Sequence, residues 1–229
     1  KADADAAMQE NVEKTLGRGG YWTHAFGNFT RQKSSTDDLG FRSQAAGLMV
    51  GGDLKLSRHH FFGVSGGYTK TIMKVDNDGG THHLNALSLG AYGTWYSDAL
   101  ALDYSLNGSV NTYKLARRII IPGTTTSDVK STHKGYEISP RIGLSYELPV
   151  QNMHLVPFVS ASYSWMREDG YREAGGLIDQ NINSRNSSFL NTEVGMSMSK
   201  DYDWNNKIFT PLFKLSYLYK KPIKSGNVV

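Results

Sequence analysis

Among the residues equipped for chemistry, the histidines and the carboxylates near them come first. His82 and His83 close the polar stretch DNDGGTHH, which also holds Asp76 and Asp78, and Asp37 with Asp38 sit in a second stretch, KSSTDDLG. At the rim of a β-structure such groups could serve as acid and base in hydrolysis, or as ligands to a metal ion. Their spacing speaks against both uses. Adjacent residues on a strand face opposite ways, so His82 and His83 cannot easily share one ion, and His59 with His60 in a tight turn meet the same difficulty. No nucleophile, acid-base pair or ligand spacing rises above background. The expectation is no catalytic residue, no metal ligand and no cofactor site.

A different set of charges has a position in common. Asp53, Lys55, Asp103, Glu137, Arg141, Glu147, Glu193 and Lys214 all fall on the polar side of an alternating stretch. The clearest such stretch is ALDYSLNGSVNTYK, from Ala101 to Lys114. In it Leu102, Tyr104, Leu106, Gly108, Val110 and Thr112 interleave with Asp103, Ser105, Asn107, Ser109, Asn111 and Tyr113. A side-chain period of two sorts residues onto the two faces of a strand. The pattern recurs along the chain, giving about nine strands. Only the first, YWTHAFGNFTRQ from Tyr21 to Gln32, is ambiguous about its faces.

Composition restricts what such strands can build. The 229 residues are 39% hydrophobic with no cysteine, and the mean hydropathy is −0.43. Aliphatic runs such as Ile119 to Ile121 fall far short of the roughly 18 residues of a membrane-crossing helix. The net charge is +4. Lysines and arginines are scattered or sit beside turns, as at Lys220, Lys221 and Lys224, with no basic helix and no stacking motif, so nucleic acid is not an expected partner. The opening KADADAAMQE lacks the basic and then apolar segments of a signal peptide, which places any export signal upstream.

Two architectures use alternating strands. A soluble sandwich or lipocalin-like barrel hides its apolar face and has strands of about 5 to 6 residues. A membrane barrel turns that face to lipid, keeps the polar face in a wet lumen, and needs about 9 to 11 residues per crossing. The strands here are of the longer kind. Their polar side is rich in Gly and Ser, while rings gather near strand ends: Phe62, Trp95, Tyr104, Tyr146 and Phe209 toward one side, Tyr68, Trp165, Tyr217 and Tyr219 toward the other. Two such belts match interfacial aromatic girdles. Leu106, Val159 and Leu215 are thus expected against lipid, and Asn107, Ser160 and Lys214 inside.

Connections alternate in the same sense. KSSTDDLG is followed by SRHH, DNDGGTHH by SDA, IPGTTTSDVKSTH by PVQN, and REDGYREAGGLIDQNINSRN by KDYDWNN. Short periplasmic turns and long external loops produce this alternation, so strand one is expected to run outward. Ahead of it, ADADAAMQENVEKTLGRGG carries Met8, Val12 and Leu16 four apart, with Asp3 and Asp5 at the start and Gly17 as a stop. This predicts a short helix within residues 1–19 before a barrel over 20–229, and the mixed face of the helix is compatible with a solvent-exposed leader, a periplasmic appendage or a segment threaded through the lumen.

At this point a family resemblance enters. A helix, then GYWTHAFG (Gly20 to Gly27), AAGLMVGGD (Ala45 to Asp53) and FGVSGGY (Phe62 to Tyr68), resembles the translocator domain of type V autotransporters. The resemblance implies an all-β, antiparallel, up-and-down transmembrane barrel of twelve strands in the bacterial outer membrane, with the helix in the pore. It implies a passenger upstream that the barrel anchors and exports to the cell surface. It further implies insertion by the barrel-assembly machinery, in contact with outer-membrane lipid and lipopolysaccharide. The eight charges above are the candidate lumen lining.

The chain departs from that pattern in its strand number. Bacterial single-chain barrels have even numbers of strands, so the barrel is expected either to lack its last strands or to be held by a partner along an open edge. A first strand hydrogen-bonded to the ninth would defeat this expectation. Other readings are an outer-membrane barrel enzyme, such as an omptin-like protease or a lipid hydrolase, and a passive small barrel or adhesin.

Overall fold

The computed structural model describes residues 19–35, 39–76, 79–119, 127–150, 153–175, 180–204 and 207–224. The predicted helix lies outside the described residues except for Gly19, which opens the first strand, and Asp37, Asp38 and Asp78 lie outside them too. In chain order the strands are β1 (Gly19–Gln32), β2 (Phe41–Ser57), β3 (His60–Val75), β4 (Gly80–Ser97), β5 (Leu100–Ile119), β6 (Ser127–Tyr146) and β7 (Leu148–Val150). There follow β8 (Met153–Glu168), β9 (Tyr171–Arg172), β10 (Asn181–Ile182), β11 (Arg185–Lys200), β12 (Tyr202–Trp204), β13 (Lys207–Phe209) and β14 (Leu212–Lys224).

Nine long strands form one antiparallel meander in the order β1-β2-β3-β4-β5-β6-β8-β11-β14, with β7 paired alongside β8. Among the described residues β1 pairs only with β2, and β14 only with β11. The nine do not close on themselves.

The burial pattern is inverted relative to a soluble sandwich. Val129, at 1% exposure, is the one buried hydrophobic residue among those described. Leu106 is 54% exposed, Val159 51% and Leu215 69%, whereas Ser160 is 7% exposed. A sheet that leaves its aliphatic side chains uncovered and buries serine has its apolar solvent outside. The ambiguous first strand falls into line through its register. Trp22, His24 and Phe26 pair with Gly51, Met49 and Gly47 on the polar face, leaving Tyr21 and Phe29 exposed on the apolar one.

Glycines on the polar face make room for rings. A Cβ at Gly51 would lie 2.4 Å from the Trp22 ring, and one at Gly63 would lie 2.5 Å from Tyr92. Each ring covers the glycine directly opposite it in the neighbouring strand. At the β4–β5 turn Asp98 takes φ 50°, a left-handed conformation that Asp tolerates better than most residues.

Several boundaries differ from the sequence expectation. The second half of DNDGGTHH is strand: β3 ends at Val75 and β4 begins at Gly80, so His82 and His83 lie on β4 rather than in a loop. The segment SDVKSTH likewise belongs to β6. Extended polar segments pair because the strands run on past the apolar band, and an unpaired backbone would forgo ladder hydrogen bonds. In the other direction, Tyr202–Trp204 of the expected tight turn KDYDWNN form β12 and pair with β13 as a hairpin. Phe209 belongs to that hairpin and not to the ninth long strand. Pro211, which has no N–H to donate to a ladder, stands at the break before β14.

Candidate functional site

The polar face carries three groups of interacting side chains. We use "short-turn rim" for the end with the β2–β3 and β4–β5 turns and "long-loop rim" for the opposite end.

Near the short-turn rim, the Trp22 indole Nε1 donates to the Tyr92 hydroxyl at 2.5 Å, and that hydroxyl donates to Asp53 Oδ1. The chain β1 to β4 to β2 thereby links three strands across glycines. Lys55 Nζ sits 5.9 Å from the Phe61 ring centroid. Asp103 Oδ1 accepts from Thr94 Oγ1 at 2.6 Å.

The second group links β6, β8, β11 and β14. Glu193 Oε1 lies 3.1 Å from Lys214 Nζ, and its Oε2 lies 3.8 Å from Arg141 Nη2. Arg141 Nη2 also donates to Ser160 Oγ at 3.1 Å, and Lys214 Nζ stands 4.4 Å over the Phe158 ring. One carboxylate thus stands between two cations at a half-open surface. A cavity of about 280 Å3 adjoins it, lined by Asp103, Arg141, Phe158, Ser160, Ser197 and Lys214 among others. Glu137 accepts from Ser139 at 3.3 Å. Glu147 is set apart: it stands between β6 and β7 at the rim, half exposed, with His154 Nδ1 2.6 Å from its Oε1.

The third group lies at the long-loop rim, and sequence reasoning missed it. His133 of β6 is sandwiched between Tyr113, at 5.0 Å and 11°, and Tyr171, at 4.0 Å and 5°. Its Nε2 is 2.8 Å from Glu168 Oε1, while Glu168 Oε2 accepts from Arg185 Nε. Arg117 of β5 reaches Glu173 with both Nε and Nη2. Backbone bonds of 3.0 Å join Lys130 and Ala174 in both directions. Together these bonds and stacks tie the segment after β8 to the polar face of β5 and β6, burying His133, Ser131 and Glu173. Burial, then the Glu168 and Glu173 carboxylates, push the Tyr171 phenol above its ordinary range. The alternation through DVKSTHKG was the signal that could have revealed this group, because it places Val129, Ser131 and His133 on one face.

The histidine pairs remain apart. His82 and His83 occupy successive positions on β4, and His60 bonds the Tyr104 hydroxyl at 2.6 Å. Among the described residues no group of three His, Asp or Glu side chains is placed to hold a metal ion.

Comparison with known proteins follows the same lines. In fold, the translocator domain of autotransporter NalP from Neisseria meningitidis matches with a TM-score of 0.60 at 11% identity, covering 96% of this chain and 83% of that one. The beta domain of the Bordetella autotransporter BrkA gives 0.63 at 20% identity, over 89% and 80%. An extracellular serine protease of Serratia marcescens is 24% identical over 178 residues, which is 77% of this chain and 17% of that protein. The chain spans 24% or less of the length of the curated relatives it matches. Residues 21–224 match the autotransporter beta-domain family. Since that match runs from the first exposed ring of β1 to the last residue of β14, the chain belongs to the autotransporter beta-domain family and to the bacterial outer membrane.

Proposed function

We infer that this chain forms the wall of a translocator that anchors an upstream passenger and exports it to the cell surface. The observation that carries this reading is the division of the sheet into an uncovered aliphatic face and a hydrogen-bonded, charged one. Hydrocarbon suits the first and water the second. Without ATP outside the cell, the barrel can supply only a hydrated conduit and an anchor. Asp53, Lys55, Asp103, Glu137, Arg141, Glu193 and Lys214 line that conduit in this reading, with Glu147 at its short-turn mouth. Strand one runs outward, so the long-loop rim is extracellular. The helix ahead of β1 occupies the pore, and the barrel-assembly machinery inserts the chain.

Lipid also imposes a condition on the sheet's margins. Unpaired backbone groups in hydrocarbon cost several kcal/mol each, so both β1 and β14 need strand partners there. Further strands or a second chain supply them in this reading. The test is export. A reporter peptide placed in the passenger of the full-length protein should become accessible to added protease on intact cells. A folded, membrane-inserted barrel whose reporter stays inside would overturn the assignment.

A further inference from the structure

The apolar face changes character toward the long-loop rim. Up to the cross-strand row Leu48, Tyr68, Leu87, Val110 and Tyr136 it is aliphatic and aromatic. Beyond that row basic residues enter the outward positions, among neutral ones such as Phe29, Ile72 and Ala116. Lys70 and Lys134 lie in the next row, joined through Asn85 and Thr112. Lys114 stands one row further, opposite His83. In the row after that, Arg31 faces Arg42 and Arg42 faces Lys74. All six cations are exposed.

Like charges directly opposite on neighbouring strands are destabilising, since their Cβ atoms stand only about 5 Å apart. Three in one row call for anions between them. Asp76 supplies part of this, with its Oδ1 4.0 Å from Arg42 Nε. The short-turn rim has no matching belt: its outward strand positions are chiefly apolar, as at Leu54, Leu56, Phe62, Trp95, Leu102, Ile142, Leu144 and Tyr146, with His60 and Lys200 the basic side chains among those described. The asymmetry therefore follows the membrane normal. Successive rows on one face are roughly 7 Å apart along a strand, so Lys134 stands about 7 Å along β6 beyond Tyr136 and Lys74 about 20 Å along β3 beyond Tyr68, toward the long-loop end of the apolar face.

We propose that the outward belt centred on Arg31, Arg42 and Lys74 binds the phosphate groups of phosphorylated lipid headgroups in the outer leaflet. Guanidinium and ammonium groups spaced one strand apart can share a single phosphate from two sides, with bidentate geometry from the arginines. The belt thereby fixes the depth and tilt of the wall. This inference rests on the membrane-wall reading above.

The test uses the full chain in micelles, with native mass spectrometry counting retained lipid. Bisphosphorylated lipid A should be retained at least about tenfold better than its dephosphorylated form, given roughly fivefold per basic residue near an anionic surface. The triple variant Arg31→Gln, Arg42→Gln, Lys74→Gln should lose roughly a hundredfold in that retention. Equal retention of the two lipids by the unaltered chain would overturn the proposal, and that comparison needs no variant to fold. Unchanged retention by a folded triple variant would overturn it as well. Insertion into phosphatidylcholine vesicles, followed by heat-modifiable migration, tests the wall reading separately. A chain that inserts but does not discriminate between the lipids sinks only the belt.

Discussion

The imidazole of His133 lies parallel to the phenol ring of Tyr171, with centroids 4.0 Å apart and planes within 5°. The two residues belong to different elements, β6 and the short β9 that follows β8. Their stack, reinforced by Arg117 with Glu173, decides where residues 171–174 rest. They lie on the polar face rather than out in solvent.

Replacing Tyr171 with Ala should free that segment while leaving the long strands intact. An aromatic pair contributes about 0.5 to 1.5 kcal/mol beyond its buried area. Hydrogen exchange at Arg172–Ala174 should therefore quicken by roughly two- to tenfold, with β2 and β3 unchanged. Unaltered exchange at those residues would show that the stack does not hold the segment.

Glu193 is the acidic member of a set with Arg141 and Lys214. Converting it to Gln leaves two cations without their shared carboxylate, at a cost of about 1 kcal/mol for a partly exposed group. The midpoint of urea unfolding in lipid should fall accordingly. Adding Lys214→Met to Glu193→Gln should recover part of the loss, since one of the two repelling charges goes. A double variant less stable than the sum of its single variants would contradict this account.

Gly51 lies beneath the Trp22 ring, where a Cβ would come within 2.4 Å. Gly51→Val should push the indole away from Tyr92, break the Trp22 to Tyr92 bond, and cost about 1 to 3 kcal/mol through overpacking. Trp22→Ala in the same background should remove much of the penalty. The check is whether the unfolding midpoint of that double variant exceeds that of Gly51→Val alone.

Leu106 and Asn107 are neighbours on β5 that face opposite solvents. Leu106→Arg should hinder insertion by about 2 to 4 kcal/mol, the cost of a basic residue at mid-bilayer on the lipid face. Asn107→Arg should insert almost as the parent does, because its side chain enters water. Vesicle partitioning of the two variants provides the comparison, and equal behaviour would show that the faces are assigned wrongly.

Much of this architecture could be read from residue order. Alternation in ALDYSLNGSVNTYK assigned Leu106 outward and Asn107 inward, and the register of β4, β5 and β6 agrees at every position. Strand limits were harder to place. SDVKSTH reads as loop because it is polar, yet it pairs along its whole length with β5. Polarity reports which solvent a residue meets, not whether its backbone is in a ladder.

Residue order by itself determined the face that side chains occupy on the long strands after the first, since a strand's period of two is imposed locally by backbone stereochemistry, whereas the faces of β1 were settled by its register with β2. It also determined the solvent each face requires, through the residue types on it. Tertiary structure decided which side chains meet. Glu193 finds Lys214 and Arg141, and His133 finds Tyr171, only because register and chain path bring distant segments together. Such meetings depend on backbone pairing between residues far apart in the chain, and no local period encodes them.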